Sequence, residues 1–184
     1  SQKPGVWRKP LAREDAERGH ATSVVRYEPG AKFSEHGHPL GEEILVLSGT
    51  FSDETGDYGE GTYFRTPEGF SHSPFSEQGC EILVKLHQFS KGDRSHVCID
   101  THTANWLPGQ GNLRVLPLNQ FGSESVALVH WPRDEKFPRP VHVGGAEILV
   151  ISGGFIDEHG ASPEGPGLRR SHWHTQTPCY SVGD

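Results

Sequence analysis

The stretch Gly30-Ala-Lys-Phe-Ser-Glu-His36-Gly-His38-Pro-Leu-Gly-Glu42-Glu43 decides the fold assignment of this 184-residue chain. His36 and His38 are two positions apart, and alternate residues of a β-strand point to the same face. A short Pro-Leu-Gly turn then brings the Glu42 carboxylate to that side. A second stretch, Gly61-Thr-Tyr-Phe-Arg-Thr-Pro67-Glu-Gly69-Phe-Ser-His72, supplies a third imidazole from a later strand.

Three imidazole nitrogens and one carboxylate oxygen make a sufficient ligand set for zinc, iron(II), manganese or nickel. A His-x-His pair alone is weak evidence, because histidine is common in loops. The same pair followed by a glutamate, and by Pro-x-Gly-x-x-His after one hairpin, is much more specific. We therefore predict a metal site rather than a polar cluster without metal, with the ligands His36, His38, Glu42 and His72. The sequence assigns no catalytic residue.

Both stretches resemble the cupin motifs G-x5-H-x-H-x3,4-E-x6-G and G-x5-P-x-G-x2-H-x3-N. Gly49 ends the first motif, and the second departs from the pattern only where Ser76 replaces asparagine. The segment Gly41-Glu-Glu-Ile-Leu-Val-Leu-Ser-Gly-Thr-Phe-Ser-Asp-Glu is similar in sequence to the ChrR-type cupin domain. In that family this domain is the C-terminal half of zinc-dependent anti-sigma factors that answer singlet oxygen. The resemblance covers residues 5–90 strongly.

The chain also repeats itself at a shift of 104 residues, where Glu147-Ile-Leu-Val-Ile-Ser-Gly matches Glu43-Ile-Leu-Val-Leu-Ser-Gly. Short strands separated by turn signals indicate an all-β protein. We therefore predict two tandem cupin barrels (double-stranded β-helix, or jelly roll), with a metal-binding barrel at 1–92 and a degenerate barrel at 93–184. In the repeat, Pro140 and Ala146 replace the first histidine and the glutamate. His142, Glu147 and either His172 or His174 remain nearby, and we expect no metal there.

Four finer expectations concern individual residues. Ile44-Leu-Val-Leu is predicted to be a short apolar strand that Ser48-Gly-Thr turns. Simple alternation makes Glu43 a solvent-facing neighbour of Glu42 rather than a residue that supports a ligand. Arg26, Tyr63 and Arg65 are likewise expected to face outward, although they could instead orient a bound carbonyl or carboxylate. The cysteines are expected to be small buried hydrophobic residues.

Composition excludes several classes of function. The formal charge is −7, from 17 Lys and Arg against 24 Asp and Glu, so we expect no direct contact with nucleic acid. No apolar run has the length of a membrane span, and no signal peptide pattern opens the chain. Three cysteines do not indicate a disulfide framework. A cytoplasmic location follows from these features as an expectation.

Two hypotheses of function remain. The ChrR resemblance implies a zinc-binding regulatory or sensor module, with a protein partner in a sigma-factor pathway. The helical sigma-binding domain of that family has no counterpart in this sequence. The alternative is an iron(II)-dependent cupin dioxygenase that cleaves a small diketone-like substrate. Because four protein ligands close a tetrahedral zinc site but leave positions open on iron or manganese, the metal separates the two. Cupin barrels often pair through exposed strands, so the resemblance also implies a homodimer.

Overall fold

A computed structural model describes residues 4–13, 20–133, 135–137, 146–157, 160–162, 167–171 and 179–182. Within these ranges every regular element is a β-strand, which confirms the all-β prediction. No helix that could cross a membrane is found among them. Backbone contacts divide the chain into two units, Ser1–Asn105 with Pro117–Ala127, and Trp106–Leu116 with Leu128–Asp184. The predicted boundary between residues 92 and 93 stays a prediction.

The first unit is built around one curled antiparallel sheet with the order β1-β2-β10-β5-β7-β11. Strands β3, β6 and β9 also join this sheet, and β4 and β8 form a separate two-stranded sheet. The bounds are β1 Val6–Arg13, β2 Ala21–Tyr27, β3 Ala31–Lys32, β4 His36–Gly37, β5 Glu42–Asp53, β6 Gly56–Gly59, β7 Thr62–Thr66, β8 Ser71–His72, β9 Phe75–Ser76, β10 Cys80–Leu86 and β11 Val97–Asp100.

Strand β5 is the central element, and it is longer than the sequence predicted. It runs for 12 residues through Ser48-Gly-Thr, so the prediction of a turn at this point is wrong. Instead the chain bends: Leu47 is an extra residue in the register with β10, and Gly49 has φ +73°. A β-bulge of this kind redirects a strand without ending it. The first half of β5 pairs with β10 and β7, and the second half with β6 and β9.

The core of the first unit is an apolar cluster inside the curled sheet. Ile44, Val46 and Phe51 of β5 are each 1% exposed. Alternate positions of a strand point to the same face, and the extra residue Leu47 shifts this alternation so that Phe51 points inward with Ile44 and Val46. Burying a side chain of this size stabilises the fold by about 1.5–3 kcal/mol. The buried cluster consists of Val6, Val25, Tyr27, Ala31, Ile44, Val46, Phe51, Phe64, Cys80, Ile82 and Val84.

The opposite face of β5 and β7 is also covered, which the sequence did not predict. Glu43 is 3% exposed and its cross-strand partner Arg65 is 0% exposed, so the expectation that they face solvent is wrong. Tyr63 is buried as well. Alternation does put Glu43 opposite the buried core, but the segment after β10 lies over that face, where Phe89 stacks on the guanidinium and Asp93 pairs with it.

The expectation for the cysteines is confirmed for one and wrong for another. Cys80 is buried in the core at the start of β10, whereas Cys98 on β11 is exposed. Alternation along β11 explains this difference, because its odd-numbered residues Val97 and Ile99 are the half-buried ones. The side chain of Cys179 lies outside the described residues.

The second unit repeats part of this pattern. Its strands β17 and β18 pair Phe155 with Ser162 and Asp157 with Gly160. At the 104-residue shift these are the pairs Phe51–Tyr58 and Asp53–Gly56 of β5 and β6. The remaining strands of the chain are β12 Leu107–Pro108, β13 Arg114–Phe121, β14 Glu124–His130, β15 Lys136–Phe137, β16 Ala146–Val150, β17 Gly154–Asp157, β18 Gly160–Ser162, β19 Gly167–Ser171 and β20 Cys179–Val182. Of these, β13 and β14 belong to the first unit over Pro117–Ala127.

Candidate metal centre

Two short strands bring the histidines together. In the pairing of β4 with β8, His36 lies directly opposite His72. His38 follows β4, and the turn after it is closed by a hydrogen bond in which the Gly41 N–H donates to the His38 carbonyl at 3.1 Å. Glu42 then begins β5. The four residues that the sequence singled out therefore lie around one point of the first unit.

The donor atoms of these residues converge. The imidazole ring centroids of His36, His38 and His72 are 4.8–5.4 Å apart, and one ring nitrogen from each lies within 4.8 Å of the others. The Nε2 atoms of His38 and His72 are 3.3 Å apart. The two Glu42 carboxylate oxygens lie 3.4 Å from His38 Nε2 and 3.5 Å from His72 Nε2.

Two of the histidines are oriented by a hydrogen bond on the far side of the ring. His36 Nδ1 donates to the Ser34 carbonyl at 2.8 Å. His72 Nδ1 donates to Asp53 Oδ2 at 3.3 Å. Since a neutral imidazole carries only one N–H, a proton on Nδ1 leaves Nε2 with the lone pair that a metal ion needs. Metal-binding histidines usually have such a partner on the other nitrogen.

The electrostatics favour deprotonated ligands at two of the histidines. Burial, helped by the neighbouring His36 and His72, lowers the pKa of His38 to about 3. Burial also lowers the pKa of His36. For His72 burial acts in the same direction, but the carboxylates of Asp53 and Glu42 outweigh it and raise the pKa.

Glu42 is a buried carboxylate among these imidazoles. Burial raises its pKa to about 7, although His72 and Arg8 oppose the shift. A buried carboxylate is stabilised in its charged form when it binds a cation. Metal ions require neutral imidazoles and ionised carboxylates, so a divalent cation would compete with protons for this cluster.

The spacing fits one shared ion. Two ligands that each lie about 2.1 Å from an ion are about 3.0–3.4 Å apart when the angle between them is 90–109°. The separations of 3.3–3.5 Å among His38, His72 and Glu42 match this value closely. His36 completes the histidine triad. The residues therefore fit a divalent metal, while the ligand role of each one stays a prediction.

A cavity of about 330 Å³ adjoins the cluster on the inner side of the sheet. One of its walls is formed by the four candidate ligands, His36, His38, Glu42 and His72. The rest is mostly apolar, and the lining residues are Val6, Arg8, Val25, Tyr27, Phe33, His36, His38, Glu42, Ile44, Phe51, His72, Pro74, Ile82 and Val84.

Sequence reasoning missed two residues at this site. Asp53, which orients His72, ends β5 and was not among the predicted site residues. Arg8 lines the cavity from β1, where it was not considered at all. The period of two along β1 could have indicated Arg8, because it puts Arg8 on the same face as the buried Val6.

The second unit offers less to compare. His142, His172 and His174 lie outside the described residues, so the expectation that this half binds no metal stays a prediction. Glu147, the counterpart of Glu43, is exposed on β16.

The chain is similar in sequence and fold to known proteins. The family model of the ChrR cupin-like domain matches the chain twice, over residues 1–90 and 94–183. A search of curated proteins gave no match. The solved complex of Rhodobacter sphaeroides SigE with the anti-sigma ChrR matches at 26% identity and a TM-score of 0.42, over 46% of each chain. The chain thus spans less than half the length of that relative.

Two other solved structures match almost the whole chain. A putative glyoxylate induced protein from Pseudomonas aeruginosa has a TM-score of 0.75 at 14% identity, over 98% of this chain and 78% of its own. A cupin 2 conserved barrel domain protein from Leptotrichia buccalis has a TM-score of 0.63 at 8% identity, over 99% and 85%. With the two family matches, these similarities confirm the predicted fold of two tandem cupin barrels.

Proposed function

The chain belongs to the ChrR cupin-like domain family, and we propose that its first barrel is a regulatory module that binds one divalent metal ion. The ligands are His36, His38, His72 and Glu42. One observation supports this most strongly: two imidazole Nε2 atoms and a carboxylate lie 3.3–3.5 Å from one another, with a third imidazole beside them.

Zinc is the first metal to test. Three histidine nitrogens and one carboxylate oxygen would complete a tetrahedral zinc shell, which suits a structural or sensing role. When bound, the ion would supply a Lewis-acidic centre, held by residues that line the cavity. The chain's own residues set its surroundings: Asp53 holds the ring of His72, and the Ser34 carbonyl holds that of His36.

A protein partner in a sigma-factor pathway is the regulatory role that we propose from family membership. The test is co-purification with the sigma factors of the source cell, before and after the metal is removed with a chelator. Partner capture that depends on the metal would support the role. We also keep the proposal of a homodimer, and a clean monomer mass in light scattering would remove it.

A metal-dependent enzyme is the second candidate, and the cavity beside the cluster favours it. An iron(II) dioxygenase that cleaves a small diketone-like substrate would need such a space next to an ion with open positions. The assay is oxygen uptake by the iron-loaded protein with simple diketones. Uptake that is lost in His72→Ala would favour this alternative over the regulatory role.

Metal content tests the proposal itself. Protein purified without a chelator or a metal-affinity column should hold one equivalent of metal, and the His36→Ala and His72→Ala variants should hold none. The His142→Ala variant should keep the wild-type content. Loss of one equivalent in His142→Ala with retention in His36→Ala would show that the wrong barrel was assigned.

A further inference from the structure

The cavity beside the metal cluster has two chemically different parts. Most of its wall comes from aliphatic and aromatic side chains of the core, including Val25, Ile44 and Ile82, which are each at most 3% exposed. Its polar part consists of the metal cluster, the Tyr27 hydroxyl and Arg8. A volume of about 330 Å³ corresponds to roughly ten water molecules, which is room for a small organic ligand.

Arg8 contributes the one permanent positive charge among the residues that line this cavity. On β1 it alternates with Val6, and it pairs across the strands with Val25, so its side chain lies on the cavity face. It is close enough to His36, His38 and Glu42 to act on all three electrostatically. In the part of the chain that the structure describes, no hydrogen bond or ion pair is found for its guanidinium.

We propose that this cavity binds a small organic monocarboxylate with an apolar body, whose carboxylate pairs with Arg8 beside the metal centre. A guanidinium is well suited to this, because its N–H groups match both oxygens of a carboxylate. The apolar body packs against Val25, Ile44 and Ile82. The inference rests on the proposed metal function only in placing the ligand next to the ion.

The charge of the cavity selects among small ligands. Arg8 is the one cationic side chain of the lining and pairs with one carboxylate, whereas the second charge of a phosphate ester or a dicarboxylate would find no partner along the aliphatic wall. A sugar would leave its hydroxyl groups without partners along the aliphatic wall, which is unfavourable. A monocarboxylate with an aliphatic or aromatic body matches both Arg8 and the apolar wall of the cavity.

Calorimetric titration with phenylacetate, which has about ten non-hydrogen atoms, tests this inference. Phenylacetamide is a neutral probe of nearly the same shape, and acetate carries the charge without the apolar body. We expect phenylacetate to bind the purified full chain at least about tenfold more tightly than either, since a charge-assisted hydrogen bond contributes about that factor.

Variants of two neighbouring residues on β1 provide the control. Arg8→Gln should weaken phenylacetate binding roughly tenfold to a hundredfold, and Arg8→Lys should restore part of it. Lys9→Gln removes a charge from the next position, which faces away from the cavity, and should leave binding unchanged. Equal affinity for phenylacetate and phenylacetamide, or unchanged binding by Arg8→Gln, would overturn the inference.

Metal content of the same samples separates this inference from the proposed function. A wild-type protein without metal would refute the metal-binding module, yet binding of phenylacetate that depends on Arg8 would still support the carboxylate pocket. A protein with one equivalent of metal that does not distinguish phenylacetate from phenylacetamide would refute the pocket and leave the metal-binding module standing.

Discussion

Replacing Arg65 by methionine should destabilise the first barrel by about 3–5 kcal/mol, because it removes the buried guanidinium that contacts the two buried carboxylates of Glu43 and Asp93. Arg65 is fully buried, with Nε 3.1 Å from Glu43 Oε2 and Nη1 2.8 Å from Asp93 Oδ2. At an effective dielectric constant of about 20, each contact represents roughly 5–6 kcal/mol of attraction. Much of that offsets the desolvation of the charged groups, which is why the expected loss is smaller than the sum.

Arg94→Met is the matched control. Arg94 also forms an ion pair, with Glu68 at 3.2 Å, but the two side chains are 71% and 51% exposed. Exposed pairs of this kind contribute at most about 1 kcal/mol. The two variants therefore remove the same charge and the same type of contact, and they differ mainly in burial.

The assay is urea unfolding followed by hydrogen exchange and mass spectrometry of peptides that cover β5 and β7. This readout reports on the sheet that contains Arg65, whatever the second unit does. If Arg65→Met costs no more than Arg94→Met, within about 1 kcal/mol of the wild type, the account of this buried network is wrong.

Three further changes have defined outcomes. Asp53→Asn should weaken metal binding about tenfold to a hundredfold, because the imidazole that it orients loses its carboxylate partner. Glu60→Gln, a change at an exposed position after β6, should leave the dissociation constant unchanged; both constants are measured by competition with a chelator. Gly49→Ala should lower the free energy of unfolding by at least about 1–2 kcal/mol, because φ at Gly49 is +73° and a new Cβ would lie 2.2 Å from the Gly79 carbonyl oxygen. In the control Gly59→Ala the new Cβ meets nothing within 4 Å, so this variant should unfold at nearly the wild-type urea concentration. Although burial opposes it, hydrogen bonds from Ser95 and Arg65 lower the pKa of Asp93. The contribution of Asp93 to stability is therefore complete above about pH 4 and is lost as the pH falls through its folded pKa. Asp93→Asn should flatten the acid side of a plot of unfolding free energy against pH, and an unchanged slope would contradict this.

Much of the first barrel could be predicted from local sequence. The spacing of His36, His38, Glu42 and His72 led to the cluster, because strand alternation and a tight turn are local rules and the motif resemblance supplied the return of the last histidine. The repeat at a shift of 104 residues was equally visible, and it is preserved down to the strand register of β5 with β6 and of β17 with β18.

The errors came from features that depend on distant parts of the chain. Alternation correctly put Glu43 on the face opposite Glu42, but it could not show that the segment around Phe89 and Asp93 covers that face. Ser48-Gly-Thr has the composition of a turn, yet the hydrogen bonds to β10 on one side and to β6 on the other keep the strand continuous. Both outcomes follow from tertiary contacts that outweigh local preference.

Metal analysis of the untagged wild-type protein, with the variants His72→Ala and His102→Ala, is the most direct test of the central claim. His102 is exposed on the turn after β11, away from the candidate ligands, and so controls for the loss of a histidine as such. The account predicts one equivalent of a divalent metal in the wild type and in His102→Ala, and none in His72→Ala. A wild-type protein without metal, or His72→Ala with one full equivalent, would contradict it.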